Sequence, residues 1–281
     1  NNITTNTTAE YTDVYTGDGD DIITISGSGE SWVASGGGSD EVHGGSGNDI
    51  IYGDGVNNWQ SMDNAGDDHL MGHDGDDELH GGLGNDTLDA GAGNDALYGE
   101  DGDDLLIQSG SGTQTFDGGA GNDTFKLDTG FLEPESDSVI SADLSTGFFG
   151  LKDNPEHVLN DTLISIENVD LSSASFDVVI TGDDSDNLLV GGLGDDTLDG
   201  GLGDDTLTGG EGSDTFVFGD VFGHDVITDF NEAEDKLEFS GALSEESLAE
   251  ETDADGNRVL KTGDGLNSIT FADNSIAPGS S

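Results

Sequence analysis

A nine-residue repeat constrains this chain more than any other feature. Between Gly81 and Ile107 three units follow one another without interruption, reading GGLGNDTLD, AGAGNDALY and GEDGDDLLI. Each unit opens with a glycine-rich turn, carries an aspartate at its sixth position and carries a leucine at its eighth. A fixed period of this length is typical of architectures in which one short turn-and-strand unit stacks on the next.

The composition indicates that folding needs more than an apolar core. Among 281 residues there are 47 glycines, 62 aspartates and glutamates, and only 5 lysines and arginines, for a formal net charge of -57. Because 31% of the residues are hydrophobic, much of the chain by itself is expected to be disordered. A divalent cation removes this obstacle, since Ca²⁺ takes about six to eight oxygen ligands from carboxylates and backbone carbonyls.

The same charge excludes several functional classes. No basic patch is available to meet phosphates, so we expect neither nucleic acid nor an anionic membrane surface as a partner. No run of about eighteen apolar residues is present, so no membrane span is expected. The chain has no cysteine, and its first residues, NNITTNTTAE, lack the regions of a secretory signal peptide.

Repeat units are predicted in two blocks, at residues 16–126 and 182–217. All eighth positions are apolar, which predicts one buried side chain on each short strand. The sixth positions of the first block are Asp21, Ser31, Asp40, Asp49, Asp68, Asp77, Asp86, Asp95, Asp104, Gln114 and Asp123. Those of the second block are Asn187, Asp196, Asp205 and Asp214.

A six-residue turn followed by a three-residue strand reverses the path of the chain. Two units therefore make one coil, and alternate units stack as parallel strands about 4.8 Å apart. One side of the first block then carries an unbroken row of aspartates. The other side carries Ser31 and Gln114 at its two ends, each after a one-residue insertion, and we expect these residues to mark the ends of one ion row.

The remaining segments predict β-structure without the repeat. Residues 1–15 are a lead-in strand or a loose terminus. Residues 127–181 are an irregular bridge, with strands at 138–144 and 161–169 and a loop exposing Phe148 and Phe149. Residues 218–281 are a cap with a short helix after Ser244 and a terminal hairpin. The predicted fold is all-β: two right-handed parallel β-roll blocks joined by an irregular β bridge, with a C-terminal β-rich cap.

Other candidate sites are weaker. His69, His73 and His80 are close in sequence but occupy different repeat positions, so we interpret them as surface residues. An insertion carrying Trp59 and Met62 is interpreted as a packed lid, with a sugar- or partner-contacting loop as the alternative. Neither HExxH nor GxSxG occurs, and we expect no catalytic residues in this chain.

The repeat units resemble those of the RTX (repeats-in-toxin) family, the secreted calcium-binding β-roll proteins of bacteria. The stretch DTFVFGDVFGHDVITDFNEAEDKLEFSG also resembles the segment that follows the last coil in RTX proteases and epimerase modules. The resemblance implies several Ca²⁺ ions and export by type I secretion to the outside of the cell. The implied metal ligands are Asp21, Asp40, Asp49, Asp68, Asp77, Asp86, Asp95, Asp104, Asp123, Asp196, Asp205 and Asp214, with the carbonyls of Gly82, Gly84, Gly91 and Gly93.

Two functions follow from this interpretation. The favoured hypothesis is an extracellular calcium-binding module that folds on binding Ca²⁺ after secretion. It would be a non-catalytic scaffold or part of an adhesin, a surface layer or a toxin-like protein. The alternative is the accessory C-terminal region of a secreted protease, lipase or alginate epimerase whose catalytic domain lies outside this chain. A polysaccharide or cell-surface partner, bound at 127–181 or at the Trp59 loop, is a further variant.

Overall fold

The computed structural model describes residues 2–7, 11–54, 66–129, 139–151 and 160–272. The chain divides into two compact units. The first contains residues 1–133 and 154–166, and the second contains residues 134–153 and 167–281. Both units are all-β, as the repeat predicts. In the second unit one turn of 3-10 helix, Glu245–Ser247, interrupts the strands.

In the first unit, successive strands alternate between two parallel sheets, so each pair of consecutive strands contributes to one coil. One sheet has the order β1 (Asn2–Thr7), β3 (Ile22–Gly27), β5 (Glu41–Gly45), β7 (His69–Asp74), β9 (Thr87–Ala92), β11 (Leu105–Gln108) and β13 (Thr124–Leu127). The other has the order β2 (Tyr11–Tyr15), β4 (Glu30–Ala34), β6 (Ile50–Tyr52), β8 (Glu78–Leu83), β10 (Ala96–Asp101), β12 (Thr115–Ala120) and β16 (Asn160–Ile164).

The second unit has the same alternation and ends in antiparallel pairs. One sheet has the order β17 (Asn168–Asp170), β19 (Leu188–Val190), β21 (Thr206–Thr208), β23 (His224–Ile227), β27 (Ser268–Phe271), β26 (Arg258–Lys261) and β25 (Ala249–Thr252). The other has the order β15 (Phe148–Leu151), β14 (Ile140–Asp143), β18 (Val178–Thr181), β20 (Thr197–Asp199), β22 (Thr215–Phe218) and β24 (Lys236–Phe239). The pairs β14–β15, β25–β26 and β26–β27 are antiparallel.

The strand register confirms the predicted stacking of alternate units. Leu97 of β10 pairs with Leu79 of β8 on one side and with Phe116 of β12 on the other. Eighth-position side chains of both repeat blocks are completely buried. Each such side chain contributes roughly 1.5–3 kcal/mol by leaving water. The core of each unit is therefore a stack of single apolar residues, and the turns at its edges are polar.

Two sequence-based details change in the structure. Phe148 and Phe149 do not form an exposed pair in a loop, because they lie in β15, where Phe149 is completely buried opposite Ala142 of β14. The helix expected after Ser244 is only a single 3-10 turn. The terminal hairpin is confirmed by β26 and β27. The division into two blocks, a bridge and a cap stays a prediction, and Trp59 and Met62 lie outside the described residues.

Candidate metal centre

Sixth-position aspartates form a hydrogen-bonded ladder through the buried side of the turns. The Asp68 backbone N–H donates to Asp86 Oδ1 at 2.8 Å, and the Asp86 N–H donates to Asp104 Oδ1 at 2.8 Å. The same bond joins Asp49 to Asp77 on the other side of the first unit and Asp196 to Asp214 in the second unit. Each carboxylate thereby holds the turn of the preceding coil at a fixed distance.

The second oxygen of many of these carboxylates has no such partner. It is buried, and it accepts no hydrogen bond from the described residues, at Asp49, Asp68, Asp77, Asp86, Asp104 and Asp205. A buried acceptor left without a partner costs about 1–3 kcal/mol, and more when it is charged. The described protein atoms therefore leave these oxygens without a partner, and a positively charged group would stabilise them.

Glycine at the first repeat position leaves room beside each of these carboxylates. A Cβ added to Gly99 would lie 2.8 Å from Asp104 Cγ, and one added to Gly200 would lie 2.7 Å from Asp205 Cγ. No real Cβ tolerates such a separation. The glycines thus let the carboxylate oxygens that lack partners in the described residues pack directly against the backbone of the turn.

Backbone carbonyls approach the same turns through the fourth repeat position. The carbonyl oxygen of Gly84 lies against the Cα of Gly102, where any side chain would overlap it. Gly102 has a φ of 153° and Gly84 a φ of 132°, values that glycine adopts without strain. Carbonyl oxygens are therefore stacked along the turns together with the carboxylates.

The predicted ligands occupy these positions. All the aspartates of the predicted set are at most 3% exposed. Gly82, Gly84, Gly91 and Gly93 all have positive φ values, as the turn requires. One of them differs from the others, because the carbonyl of Gly93 accepts a hydrogen bond from Gln114 Nε2 at 3.0 Å.

Burial raises the pKa of the row carboxyls. Desolvation, with smaller contributions from neighbouring aspartates, raises the pKa of Asp68 to about 8 and that of Asp86 to about 7. Hydrogen bonds from the preceding coil oppose these shifts without cancelling them. Ionising the rows at neutral pH is therefore unfavourable unless a cation compensates the charge.

The donors available in these turns are all oxygens, which suits a hard cation such as Ca²⁺ better than Zn²⁺ or Cu²⁺. Within the described ranges, no three histidine, aspartate or glutamate side chains converge closely enough to hold a metal by themselves. Backbone carbonyls of the turns are thus needed to complete any site. A mixed set of carboxylate and carbonyl oxygens fits calcium.

The hydrogen-bonded ladder of the interrupted row continues past Gln114, whereas the expectation that the ion row ends there stays a prediction. The Gln114 N–H donates to Asp161 Oδ1 at 2.8 Å. Asp161 belongs to β16, it is 2% exposed, and burial raises its pKa to about 7. The ladder therefore continues on a residue that is distant in sequence.

The ladders of the second unit also extend past the last repeat. The Asp205 N–H donates to Asp225 Oδ1 at 3.0 Å, and the Asp214 N–H donates to Asp235 Oδ1 at 2.9 Å. The sequence analysis did not predict Asp225, Asp235 or Asp161, because these aspartates lie outside the nonapeptide repeats. The available signal was an aspartate two residues before an apolar residue, as in Asp225 and Ile227, which is completely buried.

A second ladder runs along the exposed side of the turns at the fifth repeat position. The Asn85 N–H donates to Asp67 Oδ1 and the Asp103 N–H donates to Asn85 Oδ1, both at 2.9 Å. This ladder runs in the opposite direction to the buried one. Asparagine and aspartate serve equally well in it, so its bonds require neither charge nor a cation.

Three histidines, His43, His73 and His80, take part in ring stacks on the first unit. His80 stacks between Tyr52 and Tyr98, with ring centroids 4.4 and 4.7 Å away. His43 stacks on His73, with Nδ1 of the former 3.1 Å from Nε2 of the latter. The ring faces cover one another, which agrees with the interpretation of these histidines as structural surface residues.

Comparisons with known proteins agree with this geometry. A family model described as the RTX calcium-binding nonapeptide repeat (4 copies) matches residues 25–59, 62–88, 71–106, 108–130 and 181–216. Among curated protein sequences, none matches.

One solved structure, the extracellular lipase LipA from Serratia marcescens, is 22% identical with a TM-score of 0.28. The alignment covers 82% of this chain and 43% of that protein. The described part of the chain contains no helix long and apolar enough to cross a membrane.

Proposed function

Because this chain belongs to the family of RTX calcium-binding nonapeptide repeat proteins, we propose that it is an extracellular, non-catalytic module whose turns bind several Ca²⁺ ions and that folds on binding them. The observation that carries this proposal is the set of buried carboxylate oxygens that lack a partner. They recur at one repeat position, packed against glycines where any side chain would overlap them. A solvated acidic surface has no reason to show this pattern.

The sixth-position aspartates would hold the ions through Oδ2, while Oδ1 stays in the ladder; at Asp196 the Oδ2 atom also accepts a hydrogen bond from the Gly192 N–H at 2.6 Å. Their full set is Asp21, Asp40, Asp49, Asp68, Asp77, Asp86, Asp95, Asp104, Asp123, Asp196, Asp205 and Asp214. Carbonyls of turn glycines such as Gly82, Gly84 and Gly91 would complete the ligand sets. The bound ions supply positive charge that compensates the buried carboxylates. Asp161 and Asp225 extend the same rows.

Binding and folding are one event in this proposal. Ligands come from stacked coils, and stacking buries the carboxylates beside one another. Burial, with smaller contributions from Asp49 and Asp95, raises the pKa of Asp77 to about 7. Without cations the rows oppose folding, and with cations they favour it. Extracellular modules bind calcium with dissociation constants on the order of 10⁻⁴–10⁻³ M, so we propose that this chain folds outside the cell after type I export.

Chelation of the intact chain tests the coupling. We expect calcium removal to lower the far-UV circular dichroism signal of the strands and to increase the hydrodynamic radius, both reversibly. Asp86→Asn keeps the shape and the ladder bond but removes the charge, so it should need several-fold more calcium to refold. The exposed Asp101→Asn is the matched control, with the same charge change. Unchanged strand signal and radius after chelation contradict the proposal.

A scaffold role and an accessory role in a secreted enzyme use the same calcium chemistry, and both stay predictions. The predicted polysaccharide contact at Trp59 also stays a prediction, because Trp59 lies outside the described residues.

A further inference from the structure

One turn of the first unit differs from all its neighbours in the described part of the interrupted row. It runs from Ser109 to Gln114, after the one-residue insertion at Gln108. Both glutamines are buried, with exposures of 0% and 1%. The structure must therefore provide hydrogen-bond partners for two buried, uncharged amides in a row that otherwise carries carboxylates.

The two amides bond to each other and to backbone carbonyls of the turns. Gln108 Nε2 donates to the Gly110 carbonyl at 2.7 Å and to Gln114 Oε1 at 2.9 Å. Gln114 Nε2 donates to the Gly93 carbonyl at 3.0 Å. Two of these N–H bonds thus go to backbone carbonyl oxygens of the turns, the kind of oxygen that is stacked with the carboxylates in other turns.

We propose that the Gln108–Gln114 amide pair replaces a calcium ion, so that the coil step between Gly93 and Gln114 is closed by hydrogen bonds and binds no Ca²⁺. This inference rests on the proposed function, because it assigns which step of a calcium row is free of calcium. Amide N–H groups and cations both bind to the lone pairs of carbonyl oxygens. The donors therefore satisfy the Gly93 and Gly110 carbonyls without added charge.

The same contacts exclude an ion from this step. Calcium needs about six to eight oxygen acceptors, whereas here the carbonyl of Gly93 is already engaged and N–H groups face into the turn. Among the atoms of the two amides, Gln108 Oε1 is the one that lacks a partner in the described residues. Even with the Asp95 carboxylate, which forms a side-chain hydrogen bond with Gln114, the step offers fewer oxygens than the roughly six that calcium needs. Gly93 is accordingly removed from the ligand set that the sequence predicts.

Counting bound ions tests the replacement. Gln114→Asp restores the sixth-position carboxylate of the repeat and removes the amide donor. We expect it to bind one Ca²⁺ more than the parent chain at saturation, measured by equilibrium dialysis and by native mass spectrometry. Gln114→Glu keeps the shape of the side chain and should give the same gain, so it serves if the aspartate variant does not fold. Thr113→Asp is the control, because it adds the same charge one residue away, on the exposed side.

The outcomes separate this inference from the proposed function. A gain of one ion in Gln114→Asp or Gln114→Glu, and none in Thr113→Asp, supports the replacement. If the parent chain binds calcium but folded Gln114 variants bind no more, the replacement is wrong and the proposed function stands. An equal gain in Thr113→Asp also overturns the replacement, because added charge alone then explains the ion. A parent chain that binds no calcium removes both.

Discussion

Two consecutive turns of the first unit have a similar backbone conformation at the fourth position but different side chains at the sixth. The turns that end at Asp104 and at Gln114 both have glycine at the fourth position with a positive φ, 153° at Gly102 and 146° at Gly112. In the first, a carboxylate oxygen is buried without a partner in the described residues. In the second, an amide donates to a carbonyl at 3.0 Å. The coil thus accepts either a charged step that needs a cation or a neutral step that does not.

The difference shows that shape and calcium demand are separable in this fold. Leu106 and Phe116, the core residues of the two turns, are both completely buried. The apolar stack and the glycines therefore set the coil geometry. The residue at the sixth position decides whether that geometry is stable without added positive charge.

The largest effect that we expect is on the calcium-free chain as pH changes. Desolvation raises the pKa of Asp68 to about 8 and that of Asp77 and Asp86 to about 7, whereas an unfolded aspartate has a pKa of about 3.9. Between about pH 4 and pH 8 the folded chain therefore holds protons that the unfolded chain has released. By linkage, the stability of the calcium-free fold falls as pH rises through this window.

Circular dichroism of the chelated chain at about pH 5 and pH 8 measures this dependence. More strand signal at the lower pH is the expected result, because protons then remove the charge that calcium otherwise compensates. Asp86→Asn should weaken the dependence, and the exposed Asp101→Asn should not. Equal order at both pH values would show that the buried rows do not control folding.

A second prediction concerns the space beside the carboxylate of the charged step. Gly99→Ala places a Cβ against Asp104, 2.8 Å from its Cγ, and we expect it to lower the free energy of unfolding by about 1–3 kcal/mol. Gly263→Ala is the control, because nothing lies within 4 Å of a Cβ there. Urea denaturation in saturating calcium measures both variants. Equal stabilities of the two variants would contradict the steric role of Gly99.

A third prediction separates charge from shape at the charged step. Asp104→Asn keeps the acceptor for the Asp86 N–H but removes the anionic ligand, so we expect roughly tenfold weaker calcium binding at that site, about 1.4 kcal/mol. Its stability without calcium should rise, since a buried charge is gone. Calcium titration by calorimetry checks the first effect, and the strand signal that circular dichroism records after chelation checks the second. Titration identical to the parent would exclude Asp104 as a ligand.

The smallest effect is expected at the neutral step. Gln114→Asn shortens the side chain so that it no longer reaches the Gly93 carbonyl, and one lost hydrogen bond costs about 0.5–1.5 kcal/mol. This loss should be the same at high and at low free calcium, in contrast to Asp104→Asn. Paired urea denaturation curves at two free calcium concentrations that both leave the parent chain folded measure it. A loss that appears only in calcium would mean that Gln114 supports an ion after all.

The sequence predicted the features that repeat and missed those that do not. The period sets the stacking of Leu79 on Leu97 and the burial of the sixth-position carboxylates, because both recur at fixed spacing. Asp161 could not be placed, since a segment 47 residues beyond Gln114 supplies it. The burial of Phe149 depends on the antiparallel pairing of β14 with β15, which no local pattern shows. The hydrogen bond between the Gln108 and Gln114 amides could not be predicted, because it depends on the distance between the two side chains in the folded chain.

Calcium dependence of stability tests the central claim most directly. The midpoint of thermal unfolding of the intact chain is recorded by circular dichroism over a range of free calcium, with magnesium at the same concentrations as the control. If the buried rows bind calcium only when folded, the midpoint rises steadily with the logarithm of free calcium and responds far less to magnesium. A midpoint that is the same in chelator and in excess calcium would contradict the claim that these rows are calcium sites.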